Sequence, residues 1–351
     1  MKVFGFGKAH LPLGLAIDDK MFLGELNQFG SSYGLDQCVN LPIQAPLSGG
    51  GDTSAPDFAA AWPQHVDDLK RAVRDHGWRG RRVALSLPAE QVILRHLSMP
   101  RLPKGKLKLA IRSELATSAP LPFDDPIYDF GVAQGAFKMR QEADGDLDVV
   151  VVAASRREID WRVDLARQSG LRPVLVEPGL LSAHRATMLL ARDVPGLHAF
   201  VVLRENGVEF GVFDGHDIMF MRQVAVRPAD YTVSQFTRIL IEDEPPADVF
   251  DHQAYAVDLG YELDRSINFV QYNLLQDGQS IPMVYVLPGF WLNENALAHL
   301  SERLEQQVVV ATGTFAAGVA ASDELTASGV KRRGMDLVNI SMGLSLWGVA
   351  P

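Results

Sequence analysis

"AFVVLRENGVEFGVFDGHDIMFMRQVAV", residues 199–226, alternates apolar and polar positions around two glycine-bearing turns. Val201 to Leu203 form an apolar strand, and Val208, Phe210 and Val212 alternate on the return. Alternation at period two marks a strand with one face turned to a core. Asn206-Gly207 supplies the two residues with φ > 0 that a type I′ hairpin turn requires, and Asp214-Gly215 supplies a second turn. The stretch therefore reads as a three-stranded meander.

Beyond the meander the pattern is helical and α/β. Helices are expected at "YTVSQFTRILI" (231–241) and "LGYELDRSINFVQYNLL" (259–275), then a buried strand "PMVYVLPG" (282–289). A helix "NENALAHLSERLEQ" (293–306), a strand "QVVVAT" (307–312) and a returning helix "MDLVNISMGLSLWG" (335–348) complete the chain. A meander succeeded by helix-bearing α/β units reads as a ribonuclease-H-like half.

Upstream, residues 82–178 make a pattern of their own. "RVALSLP" (82–88) and "VILRHLSMP" (92–100) are strands, and "KGKLKLAIRSELATSAP" (104–120) puts Leu107, Ile111 and Leu115 on one helical face. Strands "IYDFGVAQG" (127–135) and "LDVVVVAAS" (147–155) flank an acidic turn, before a helix at 156–170 and a strand at 171–178. The order suits an α+β module. Before it stand strands "LGLAI" (13–17) and "MFLGEL" (21–26), a Gly-rich loop at 46–56, and a helix at 57–77 with Gly77 placed as its C-cap. The expected division is a first half at 1–81, completed by 176–196 and 335–351, an inserted module at 82–178, and a second half at 197–334.

With 351 residues and 47% hydrophobic content the chain is an ordinary globular mixture of two or three domains. A net charge of −10 disfavours nucleic acid as a partner. The densest basic patch, Lys104, Lys106 and Lys108, reads as a solvated helix start. A single cysteine, Cys38, forms no intramolecular disulfide and suits a reducing compartment. No apolar run approaches the ~20 residues that span a bilayer, so the expected location is cytoplasmic, with membrane contact only through a partner.

Several motifs are rejected on their context. "GSSYG" (30–34) matches a nucleophile-elbow pattern, yet "LDQCVNLP" after it carries no helical period. "SGGGDTS" (48–54) lacks the Gly-Lys-Ser/Thr of a phosphate loop. The nine histidines show no zinc spacing, so no metal site is expected from them. Asp18-Asp19 reads as a surface turn with Mg²⁺ as its functional alternative, and "EDEPPAD" (242–248) as a solvated acidic linker.

Three stretches together resemble PilM, the actin-like protein of type IV pilus assembly, and its MSHA-pilus relative MshI. The first is "VALSLPAEQVILRHLSMPRLPKGKLKLAIRSELATSAPLPFDDPIYDFGV" (83–132), with strands ending in Pro and Met-Pro, a helix holding Glu114, and a Pro-x-Pro-Phe exit. The second is "VVVVAASRREIDWRVDLARQSGLRPVLVEPGLLSAHRA" (149–186). The third is "YELDRSINFVQYN" (261–273), similar to a family helix written Glu-x-x-Arg-Ser-x-x-Phe, with Glu262, Arg265, Ser266 and Phe269 in place.

The resemblance implies an actin-like ATPase fold: two ribonuclease-H-like halves with an inserted α+β module. It implies a role at the cytoplasmic face of a pilus or type II secretion-like machine, gripping the N-terminal tail of an inner-membrane PilN-like partner. Other inner-membrane or motor components of the pilus are further candidate partners. The implied peptide groove involves Leu107, Ile111, Leu115, Pro120, Pro122 and Phe123, of which the three helix residues suit the module core better and Pro122 and Phe123 suit core and groove equally.

Against the family's nucleotide motifs the chain departs. Its first phosphate hairpin keeps Asp18 but has Lys20, Met21 and Phe22 where small and hydroxyl residues belong. The second has Leu203 at the acid position and Glu205 near the glycine position, with Gly207 supplying the turn. The adenine-side Gly-Gly is Pro288-Gly289, with Phe290 and Trp291 next in the chain as fillers of a nucleotide cleft. Glu262 and Arg265 on the ribose side look intact. The expectation is a vestigial site at Asp18, Lys20, Gly207, Glu262, Arg265 and Gly289, with no catalytic residues and no cofactor. Two alternatives stay open: a working ATPase or kinase of the actin/sugar-kinase superfamily using Mg-ATP, and an unrelated α/β binding module.

Overall fold

The computed structural model describes residues 11–18, 20–29, 32–43, 56–117, 121–123, 125–132, 146–190, 196–233, 249–275, 278–290, 292–311 and 335–347. Along the chain, β1 (Leu13–Ile17), β2 (Lys20–Phe29) and β3 (Ser32–Pro42) lead to α1 (Pro56–Asp75) and β4 (Arg82–Leu87). Then come β5 (Val92–Met99), α2 (Lys104–Thr117), β6 (Pro126–Val132), β7 (Leu147–Ser155), α3 (Arg156–Gln168), β8 (Arg172–Pro178) and α4 (Gly179–Leu190). The second half opens with β9 (Leu197–Arg204), β10 (Gly207–Asp214), β11 (Asp217–Val224), β12 (Thr232–Val233) and β13 (Val249–Phe250). The last elements are α5 (His252–Asn273), β14 (Met283–Pro288), α6 (Glu294–Arg303), β15 (Gln307–Val310) and α7 (Met335–Ser345).

Two five-stranded sheets have the same order, β3-β2-β1-β4-β8 and β11-β10-β9-β14-β15. In each, three antiparallel strands of a meander are extended by two parallel strands. The fold is thus the expected pair of ribonuclease-H-like halves. Alternation along the central strands divides the cores. Leu13, Leu15 and Ile17 pack on Leu69 and Val73 of α1 and on Trp161 and Leu165 of α3. Ala16, from the opposite face of β1, joins Phe200 and Val202 of β9 in a core shared by the halves. Here α4 and α7 lie between the sheets, contributing Leu180, Ala183, Ile340 and Leu344. Two glycines permit that layer. A Cβ on Gly343 of α7 would stand 1.7 Å from the Ser182 carbonyl oxygen of α4, and one on Gly14 1.8 Å from that of Ser341. Ser341 Oγ donates to the Gly14 carbonyl at 2.7 Å across the same contact.

A separate antiparallel sheet, β5-β7-β6, carries α2 on one face. The boundaries expected for the inserted module, 82–178, are therefore too wide. β4 pairs in parallel with β1, β8 pairs in parallel with β4, and α3 packs in the core of the first half. The inserted sheet and helix span 92–155, within the crossover from β4 to α3. Parallel partners lie far apart in the chain, so the pattern of β4 does not say which strand it joins. The inserted sheet also touches the second half: His96 of β5 bonds through Nδ1 to Asp148 of β7 at 2.9 Å and through Nε2 to the Met219 carbonyl of β11.

Both hairpin turns slip by one residue from their expected places. Gly207 pairs with Arg204, so the loop is Glu205-Asn206 and Gly207 opens β10 at φ 148°. Asp214 pairs with Asp217, so the second loop is Gly215-His216, with Gly215 at φ 60°. At the positive φ of Gly207 a side chain is strained, which keeps the glycine although it is not a loop residue. α5 starts earlier than its periodicity suggests because Asp251 caps it, accepting from Gln253 N and Ala254 N. The helix expected at 231–241 begins instead as strand β12, and 234–241 lies outside the described residues. So do Asp19, Gly30-Ser31, the loop at 46–55, Pro120, the acidic linker 242–248 and Trp291.

Candidate functional site

The β1–β2 turn of the first half faces the β9–β10 hairpin of the second. An arginine stands between them. Arg204 Nη2 lies 2.8 Å from Asp18 Oδ2, and Arg204 Nη1 donates to Glu209 Oε1 at 2.7 Å. Asn206 Nδ2 donates to Asp18 Oδ1 at 2.8 Å, and the Ala89 N–H, just after β4, donates to Glu209 Oε1 at 3.1 Å. Asp18, Arg204 and Glu209 are each buried. At the rim, Lys20 Nζ and Glu205 Oε2 are 3.9 Å apart and substantially exposed.

Strand alternation explains the arrangement. Leu203 and Val208 point into the core of the second half, so Arg204 and Glu209, one residue along, take the opposite face toward the first half. Arg162 of α3, 1% exposed, adds a second buried guanidinium. It bonds to the Glu158 carbonyl oxygen at 2.8 Å and Oε2 at 2.9 Å. Burial lowers its pKa to about 10, while the carboxylates of Glu158, Asp18 and Glu90 act in the opposite sense. Arg162 therefore keeps its charge at neutral pH and helps to balance Asp18.

The site differs from the sequence reading in which residues decide it. Leu203, expected at the position of a lost acid, is a core residue whose carbonyl accepts from Gly289 N–H at 2.8 Å. Arg204, Asn206 and Glu209 are additions that the structure makes to the expected site. Their signal lies in the sequence: opposite charges five residues apart on two otherwise apolar strands around a tight turn. Phe290, expected to fill a nucleotide cleft, packs instead against Tyr255 and Phe250 in the core of the second half. Glu262 of α5 is held by Arg222 of β11 at 3.0 Å and by Arg265 at 3.6 Å.

Magnesium and the phosphates of ATP would have to displace contacts already made here. Asp18 is engaged by Arg204 and Asn206, and Glu209 places a second buried carboxylate beside the same arginine. Arg204 would have to leave both acids first. Stranding a buried charge in this way costs about 3–5 kcal/mol.

The expected peptide groove is likewise redrawn. Leu107, Ile111 and Leu115 are buried against Leu97, Met99, Val149 and Val151 and form the core of the inserted unit. They cannot floor an open groove. Helical spacing gives a buried face without saying what covers it, and here β5 and β7 cover it. Pro122 is exposed and Phe123 half-buried, on the segment that leads into β6, the outer strand of its sheet. Pro120 lies outside the described residues. Among the described residues no helix is long and apolar enough to cross a membrane.

Comparison with known proteins places these features in a family. The sequence profile described as "Type IV pilus assembly protein PilM" matches residues 25–235. Among solved structures, a PilM-PilN type IV pilus biogenesis complex aligns over 97% of this chain and 99% of that one, with a TM-score of 0.69 at 19% identity. The ethanolamine utilization protein EutJ from Carboxydothermus hydrogenoformans covers 97% of this chain and 91% of its own, with a TM-score of 0.48 at 12% identity. A Bacteroides thetaiotaomicron protein of actin-like ATPase fold covers 94% and 95%, with a TM-score of 0.43 at 7% identity. No curated protein sequence gives a match.

Proposed function

The chain belongs to the PilM family of type IV pilus assembly proteins, and from that premise we propose that it serves as a non-catalytic actin-fold scaffold. In this reading it sits in the cytoplasm and reaches the inner membrane by gripping the N-terminal tail of a PilN-like protein. The solved PilM-PilN complex supports the choice of partner class.

The observation that carries the non-catalytic part is the side chain of Arg204, ion-paired at once with Asp18 and Glu209 in the space between the two hairpins. The competing reading, a working ATPase or kinase, needs Asp18 free to hold a metal-bound water. Isothermal titration with Mg-ATP separates the two. No heat of binding is expected, and micromolar affinity with hydrolysis would overturn the reading.

For the tail, β6 has no second neighbouring strand among the described residues, and Pro122 and Phe123 precede it in the chain. An extended peptide can add there as a further strand, taking affinity from main-chain bonds and specificity from apolar contacts. A pull-down with a synthetic PilN-like tail tests this, and retention by the intact chain is the expected result.

A further inference from the structure

At the end of the first half opposite the clasp that Arg204 makes with Asp18 and Glu209, the C-terminal turns of α1 and α3 lie side by side. Both close in the same way. Gly77 takes φ 69° and Trp78 N–H bonds to the Val73 carbonyl at 2.8 Å; Gly170 takes φ 88° and Leu171 N–H bonds to the Ala166 carbonyl at 2.9 Å. Such left-handed caps turn the chain sharply. Gly80 N–H then ties one loop to the other through the Gly170 carbonyl at 2.8 Å.

Between the two helix ends opens a cavity of about 590 Å³, lined by Asp67, Lys70, Arg71, Arg74, Arg79 and Ser169 among others. Four cations and one carboxylate thus converge on a chain whose net charge is −10. Arg71 leans on Asp68 at 3.5 Å and Arg74 on Asp75 at 3.0 Å. Among the described residues, Lys70 and Arg79 form no ion pair. The dipole of a helix end accounts for Arg74, which is in the last turn of α1. It does not account for Lys70, a turn earlier, or for Arg79 in the loop beyond. Like charges gathered around one cavity repel each other; the partial negative charge of the two helix C-termini offsets part of that repulsion, and an anion placed among the cations offsets the remainder.

We propose that this cavity binds a phosphate group. Guanidinium forks pair with phosphate oxygens by two parallel bonds, and a lysine ammonium adds a point charge. The volume falls within the range of small-ligand pockets, which admits a free phosphate compound or the headgroup of an anionic lipid. α3 begins at the inserted unit and its 13 residues rise ~20 Å before reaching the cavity. Occupancy therefore leaves both the clasp and the β6 edge clear.

The test uses the full chain in two arms. Inorganic phosphate is titrated in one, and vesicles of phosphatidylglycerol are compared with vesicles of phosphatidylcholine in the other. Both arms include Lys70→Gln/Arg79→Gln and a control, Lys106→Gln/Lys108→Gln, which removes two exposed cations from α2. All four side chains are exposed, so both variants are expected to keep the melting curve of the parent. Phosphate binding weakened at least about tenfold in the first variant alone supports the site with a free anion as ligand. Sedimentation with phosphatidylglycerol alone, lost only in the first variant, supports it with a lipid headgroup. Binding in neither arm, or equal loss in both variants, overturns the proposal.

Discussion

Arg204 and Asp18, both 3% exposed, meet at 2.8 Å across the gap between the two halves. Arg204 also reaches Glu209, so its removal leaves two buried carboxylates without their shared counter-charge. Arg204→Ala is expected to destabilise the chain by about 3–5 kcal/mol, seen as a lower urea midpoint at an unchanged m value. The neutral set Asp18→Asn/Arg204→Met/Glu209→Gln should recover most of that loss. An Arg204→Ala chain as stable as the parent would contradict the clasp.

His184 of α4 and His198 of β9 share a bond between their Nε2 atoms at 3.0 Å, and His198 Nδ1 faces the Gly196 carbonyl at 2.8 Å. The His184 ring stacks on Phe213 at 3.7 Å. Burial holds His184 well below 6.5, helped by the positive charges of His198, His216 and Arg185. Burial also lowers His198, against the Gly196 carbonyl and the Asp214 carboxylate. The unfolded chain therefore binds more protons below 6.5. Stability from this pair is complete above that pH and is lost as the pH falls through the folded values. The urea midpoint should drop between neutral pH and pH about 5, and drop less in His184→Phe. Equal slopes in the two chains would refute the assignment.

Gly343 offers a test of the central layer. Its missing side chain leaves room for the Ser182 carbonyl, and a methyl group at 1.7 Å can be accommodated only by moving a helix backbone. Gly343→Ala is expected to cost at least about 3 kcal/mol. Gly131→Ala in β6, where nothing stands within 4 Å of the new carbon, should stay within about 0.5 kcal/mol. Thermal melting of the two variants side by side decides it.

Phe123 and Leu107 separate docking from folding. Phe123→Asp should abolish retention by a PilN-like tail while leaving the melting curve unchanged. Leu107→Asp places a carboxylate in the core of the inserted unit and should melt that unit instead. Its loss of tail binding would carry no information about a groove. Undiminished tail binding by a folded Phe123→Asp chain would remove this residue from the interface.

Periodicity makes most of the architecture readable, because each strand of the two meanders has one face on an apolar core and the next on a shared one. The pairing of β4 with β1 is not readable, since parallel neighbours are joined by long crossovers and the partner is written elsewhere in the chain. The turns slip by one residue because a glycine after asparagine suggests a loop position, whereas the φ of 148° at Gly207 belongs to the first residue of β10. Half of the clasp is hidden for a related reason. The family motif puts its acid at position 203, but the pleat turns Leu203 inward and hands the cleft to Arg204. Charge pairing across a cleft depends on which faces meet, and that is decided only when both halves are assembled.

The glycine contacts at 14 and 343 seat α7 against β1 and α4, and the clasp ties the end of β1 to the hairpin of the second half. Parting the halves at that gap breaks a buried ion pair. Anything docked on one half therefore finds the other at a set distance and bearing.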